Sequence, residues 1–147
     1  MGFPEDLLEQ AQHLATRDPR RPKRANLRRA VSTAYYALFH LLVSEAVGNW
    51  RIAPQRNALA RAFDHGRMKK ACNNCKSGSA SLMAVAGAFV ELQDARHKAD
   101  YDNAVILSRV EVIKQIERAR LAFGQWQAVR RTREAQDLLL SMLTDRR

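Results

Sequence analysis

Apolar residues recur along this chain at intervals of three and four, the spacing that puts them on one side of an α-helix. Leu27, Val31, Ala34, Leu38 and Leu41 form one stripe. Leu82, Val85, Ala86, Phe89 and Leu92 form a second, and Val112, Ile116, Ala119, Phe123 and Trp126 a third. Alternating apolar and polar runs are missing, as are hairpin dipeptides such as Asn-Gly, so the pattern predicts no strand.

Start and stop signals divide the chain into five helices. The first runs from about Pro4 to Thr16; Pro4 suits a first helical position, and Glu5 and Asp6 complement the positive end of the dipole. Pro19 and Pro22 exclude an uninterrupted helix through the next segment. A long helix follows, from near Pro22 to the Gly48-Asn49 stop. A third begins at Pro54 and covers QRNALARAF, with Gly66 bending or interrupting it before MKKACNNC. KSGSAS is a loop offering Ser79 or Ser81 as a cap for the fourth helix, which ends on ARHKADYD, Ala95 to Asp102. The fifth opens with a capping box, SRVE, Ser108 to Glu111. Beyond Trp126 its stripe meets Arg130, Arg133 and Asp137, and apolar residues resume out of phase at Leu138, Leu139 and Met142. A kink, break or change of partner is expected between Gly124 and Arg133, with a helical extension after about residue 127.

Each stripe needs a facing stripe and the loops are short. The expected fold is therefore all-α: one domain over residues 1–147, an antiparallel up-and-down bundle of four to five helices. The long helix carries a second cluster, Arg29, Ser32, Tyr36, His40 and Val43, on its other face. A helix with two structured faces is central or meets a second subunit.

Composition narrows the partners. A chain of 147 residues with 46% hydrophobic content suits one core. Its formal charge of +10 and pI near 10.4 favour a polyanion: RNA, DNA or an acidic protein. No apolar run approaches the roughly 20 residues of a bilayer span. The acidic start MGFPEDLLEQ does not read as a signal peptide, and Asp6 stands where a myristoylation signal has Ser or Thr. A cytoplasmic chain without membrane association is expected.

Several chemistries lack their motifs. There is no GxSxG, P-loop, GxGxxG or paired Glu-x-x-His. The two cysteines, Cys72 and Cys75 in CNNC, have no second pair to complete a zinc site and read as two thiols near a helix end. No metal or cofactor is expected.

Two stretches remain. Arg17 to Arg29 holds seven Lys/Arg and one acid. Arg20, Arg21, Lys23, Arg24 and Arg28 are candidate phosphate contacts; the alternative is a solvated, mobile loop, since aromatics for base stacking are not interleaved. In ARHKADYD, Arg96 continues the stripe of Phe89 and Leu92. A core-facing arginine is costly unless a partner or ligand meets it, and Asp100, Tyr101 or a second subunit are the candidate partners. The plain alternative is an i,i+4 surface pair worth roughly 0.3–0.5 kcal/mol.

NLRRAVSTAYYALFHLL, Asn26 to Leu42, resembles the second helix of HEPN domains. ELQDARHKADYD, Glu91 to Asp102, is similar to the RxxADY-type ending of one prokaryotic HEPN branch, and the likeness runs from about Pro4 to Trp126. The resemblance implies an all-α bundle that is dimeric through the helices bearing this motif, with Tyr36, His40 and Asp100 as interface candidates. It implies RNA or nucleotide binding. Many members are metal-independent ribonucleases, and several are toxins or partners of small nucleotidyltransferases in toxin–antitoxin or defence systems. In the ribonucleases an arginine is followed four to six residues later by a histidine that assists attack of the RNA 2′-hydroxyl or protonates the leaving group. Here Tyr101 occupies that place, and no histidine follows His97. The candidate catalytic residues are thus Arg96, Tyr101 and His97. The alternative is a non-catalytic interaction module that partners a nucleotidyltransferase or another acidic protein.

Overall fold

The structure, a computed structural model, describes residues 2–144. It is all-helical: α1 Phe3–Thr16, α2 Arg24–Gly48, α3 Ala53–Ala60, α4 His65–Asn73, α5 Ala80–Tyr101, α6 Arg109–Val129 and α7 Arg133–Ser141. No strand occurs among the described residues. The four long helices α1, α2, α5 and α6 form the bundle, and three short ones complete it. Helix α2 is the hub, packing against α1, α5 and α6 and also meeting α3 and α7.

The apolar stripes explain that arrangement. Leu27, Val31, Ala34, Leu38 and Leu41 of α2 are buried against Leu82, Val85, Phe89 and Leu92 of α5 and Val112, Ile116 and Trp126 of α6 in one core. Burying such side chains contributes about 1.5–3 kcal/mol each relative to exposure. By length and composition α2 is apolar enough to cross a membrane, which the sequence reading did not allow for; here more than half of its most apolar window is covered by the bundle.

Helix boundaries follow local chemistry. Gly2 N–H donates to Glu5 Oε2 at the start of α1 (3.2 Å). Ser79 Oγ accepts from Leu82 N–H, Ser108 Oγ from Glu111 N–H and Thr132 Oγ1 from Ala135 N–H, each satisfying a free amide at a helix start. Gly78 precedes the first of these caps with φ +111°, a conformation closed to ordinary side chains, and a Cβ there would lie 3.0 Å from Leu82 Cδ2.

In two stretches the structure gives a definite form to what the sequence left open. The third helix is two helices, because Asp64 caps a new one: its Oδ1 accepts from Arg67 N–H at 2.9 Å. After Trp126 the chain breaks, one of the outcomes expected between Gly124 and Arg133. Helix α6 ends at Val129, Thr132 caps α7, and Leu138, Leu139 and Met142 turn into the core.

Two arginines stitch helix C-termini. Arg28 of α2 donates to the carbonyls of Ala99 (2.7 Å), Asp102 (3.0 Å) and Val105 (2.8 Å), the end of α5 and the loop beyond. Arg109 of α6 donates to Ala15 O (3.0 Å), Pro19 O (3.0 Å) and Asp18 O at the end of α1. Each places a cation where carbonyls and the negative dipole end gather.

Candidate functional site

The C-terminal turns of α5 carry the site. The stripe that buries Phe89 and Leu92 also carries Arg96 inward, leaving it 8% exposed, the one charged residue buried among those described. Its guanidinium lies 5.2 Å from the ring centre of Tyr35, 5.6 Å from Tyr36 and 6.0 Å from Tyr101, within cation–π range of all three. Asp100, one turn on, pairs with Arg96 Nη1 at 3.5 Å, and Ser32 Oγ donates to the same carboxylate oxygen at 3.2 Å. Arg96 Nε is buried without a hydrogen-bond partner, and so is Gln93 Oε1 one turn earlier. Buried polar atoms are nearly always paired, so this turn of α5 holds polar capacity that the fold itself leaves unfilled.

Tyr101 is 65% exposed, and its ring centre lies 4.9 Å from that of His97. His97 also borders a cleft of about 360 Å³ between α4 and α5, with Lys69, Gln93, Asp94 and Lys98. Lys69 donates to Asp94 Oδ1 across the two helices at 2.6 Å.

The other wall is α2. Tyr36 and His40 are half-buried, with Phe39 between them in sequence and in the ring stack. Phe3 of α1, 58% exposed, stands edge-on to His40 at 5.0 Å. Burial holds His40 below the ordinary imidazole pKa.

His65 sits at the first turn of α4, and the chain fold brings it here from far along the sequence. Its ring is 4.5 Å from Phe39, 5.6 Å from Tyr35 and 5.7 Å from Tyr36. Its Nδ1 lies 2.6 Å from the Tyr35 hydroxyl. Burial, and then the charge of Arg96, hold its pKa below the usual value although Asp64 opposes them. Burial pushes the pKa of the Tyr35 hydroxyl far up, against the opposing charge of Arg96.

The basic candidates divide. Arg20, Arg21, Lys23 and Arg24 are exposed around the start of α2. Their loop is ordered: Asp18 Oδ2 accepts from Lys23 N–H at 3.2 Å and from Asn26 Nδ2 at 2.8 Å, bonds that hold its pKa low. Arg28, a candidate phosphate contact in the sequence, is instead engaged with the carbonyls at the end of α5, because that helix terminus has free acceptors within its reach.

Of the residues the sequence pointed to, Asp100, Tyr101 and Tyr36 surround Arg96, His40 lies against Tyr36 further along α2, and His97 lies against Tyr101 at the cleft between α4 and α5. The sequence candidates did not include Tyr35. His65 ends a near match to the arginine–histidine motif, Arg61 to His65, with only three residues between and on a helix other than that of Arg96; Asp64, a cap that makes it the first residue of α4, is a second local signal. Neither cysteine belongs to the site: Cys72 is buried, with its thiol pKa driven up by burial, and Cys75 lies at the end of α4. No cluster of three metal-ligating side chains occurs among the described residues. Comparison with protein-family models, with curated proteins and with solved structures found no match to this chain.

Proposed function

We propose that this chain is a HEPN-like, cytoplasmic RNA-binding domain that works as a homodimer, with Arg96 as the seat of a phosphodiester. The observation that carries the reading is Arg96 itself. It is buried among three tyrosines, yet its paired contact is a single 3.5 Å approach to Asp100, and its Nε has no partner. A structural arginine in a core is normally tied by short, two-pronged bonds. Even the partly exposed Arg130 is held that way by Glu45, at 2.7 and 2.9 Å. An arginine held by ring faces and one long ion pair is poised to exchange Asp100 for a phosphate oxygen. The exposed cations of the loop, Arg20, Arg21, Lys23 and Arg24, extend the attraction along a strand. The exposed ring of Tyr101 offers a face for a base.

Dimer formation is supported by the half-buried Tyr36 and His40 and the exposed Phe3, an aromatic surface on the hub helix and its neighbour. A two-fold axis there sets two Arg96 sites side by side.

The test is fluorescence anisotropy of a 5′-labelled single-stranded RNA of mixed sequence, titrated at several salt concentrations. Affinity is expected to fall steeply with salt, by a slope of about −0.7 for each phosphate neutralised, and to drop about tenfold or more in Arg96→Ala. Salt-independent binding, or none, removes RNA and leaves the acidic partner protein, a nucleotidyltransferase among the candidates. The ribonuclease activity of the family it resembles needs one thing more, a proton acceptor, since Tyr101 stands where the motif histidine would be.

A further inference from the structure

We infer that His65 is that acceptor, a catalytic base supplied by α4 rather than α5, and that Tyr35 is its positioning residue. This rests on the RNA-binding reading of the Arg96 site and adds cleavage to it.

The geometry is specific. His65 and Arg96 lie on different helices, and both pack against the same two rings, Tyr35 and Tyr36. The Tyr35 hydroxyl, 2.6 Å from Nδ1, fixes the orientation of the imidazole from below. A hydroxyl can accept from Nδ1–H or donate to a bare Nδ1, so it supports either tautomer. The tautomer with Nδ1 protonated leaves the lone pair on Nε2, as a base requires. In the serine hydrolase triad a buried group on Nδ1 plays the same part.

The charge state fits. The groups facing His65 are Arg96 on α5, His40, Tyr35 and Tyr36 on α2, and Asp64 at the head of its own helix. Burial and Arg96 keep the imidazole neutral near pH 7, where it can take a proton. The same Arg96 charge stands ready for the extra negative charge on phosphorus in the transition state.

The step balances without a redox partner. Nε2 of His65 takes the proton of a ribose 2′-hydroxyl. The 2′-oxygen forms a bond to the adjacent phosphorus as the bond from phosphorus to the 5′-oxygen breaks, and the departing 5′-oxygen takes a proton from water. The products are a 2′,3′-cyclic phosphate and a 5′-hydroxyl end. His65 then returns its proton to solvent.

The experiment uses full-length protein, a fluorophore–quencher single-stranded RNA of mixed sequence, and EDTA in every reaction. Wild type is expected to cleave, leaving cyclic phosphate ends. The acid side of its kcat/KM profile should fall at a pKa below the ordinary 6.5 of histidine. His65→Gln should lower kcat by about 100-fold or more and remove that acid limb. Tyr35→Phe should lower kcat while keeping the limb, as expected for a residue acting through His65. His13→Gln, on the exposed side of α1, serves as the control that keeps wild-type rate. Circular dichroism melts establish that each variant is folded; if His65→Gln is not, the wild-type profile alone decides. RNA that is bound but not cleaved overturns this inference and leaves the binding reading standing. So does cleavage with a flat wild-type profile from pH 5 to 8, or a folded His65→Gln at wild-type rate. No binding and no cleavage overturns both.

Discussion

Arg130, just past the end of α6, grips the carboxylate of Glu45 on α2 with two nitrogens, Nε at 2.7 Å and Nη2 at 2.9 Å. Trp126 Nε1 donates to the same carboxylate at 3.0 Å. Burial alone would raise the pKa of Glu45, but these donors bring it below the ordinary carboxylate value. The arrangement pins the break between α6 and α7 to the hub helix and satisfies the polar atom of a fully buried indole. Glu45→Gln is expected to lower stability by about 1 kcal/mol after allowance for solvent screening, because it keeps the shape but turns one of the two acceptors for Arg130 into a donor and removes the charge from the other. Urea unfolding at neutral pH checks it. The wild-type advantage should fade as acid protonates Glu45, since a carboxylate with a depressed folded pKa stabilises above its unfolded pKa and loses that contribution below.

The core makes a simpler demand. Phe89 and Leu38 are fully buried, on α5 and α2. Phe89→Ala and Leu38→Ala should each cost about 2–5 kcal/mol, read as a shift in denaturation midpoint at unchanged slope.

Histidine burial sets an acid limit. His40 and His65 both have folded pKa values below the ordinary 6.5, with burial the leading cause. The unfolded chain then binds more protons than the folded one as pH drops through 6.5, so stability should decline from there downwards. Denaturation midpoints measured between pH 7.5 and 5 should show this slope, and it should flatten in His40→Gln.

Arg28 separates stability from binding. Its three carbonyl acceptors predict that Arg28→Gln lowers stability by about 1–2 kcal/mol. The salt slope of RNA binding should stay near wild type in that variant. Replacing Arg20, Arg21 and Lys23 by Gln should do the reverse, leaving the melting temperature in place and flattening the slope by up to about 0.7 for each lost phosphate contact.

A homodimer is expected in sedimentation equilibrium at micromolar concentration. Phe3→Ala and His40→Glu should shift it towards monomer, because both alter the exposed aromatic surface. A monomer at every concentration removes the proposed pairing of Arg96 sites.

The helices were legible because their stripes are regular. Val31, Leu38, Phe89 and Ile116 mark positions where spacing alone identifies the core. Arg96 was legible for the same reason, a charge in phase with an apolar stripe. The break between Ala60 and His65 was expected at Gly66, the strongest breaker from Ala60 to Met68, and lies earlier because the side chain of Asp64 caps the new helix. The pairing of His65 with Tyr35 was hidden for a different reason. The two are 30 residues apart, and periodicity reports which face a residue occupies, not which distant residue shares that face. Arg28 misled because a count of positive charge does not register whether helix-end carbonyls lie within reach.

The fork of Arg109 has a thermodynamic consequence. Reaching from α6 to the carbonyls of Ala15, Asp18 and Pro19, it holds residues 15–19 in one conformation before anything arrives. A cationic arm that must first settle down loses conformational freedom when it associates, at about 0.5–1.5 kcal/mol per immobilised side chain plus its backbone. In this chain the backbone share of that cost is met during folding. Association at the loop should therefore be quick, with a small unfavourable entropy, and the backbone amides of Asp18, Arg20, Arg21 and Lys23 should exchange with solvent deuterium at nearly the same rate before and after a polyanion binds.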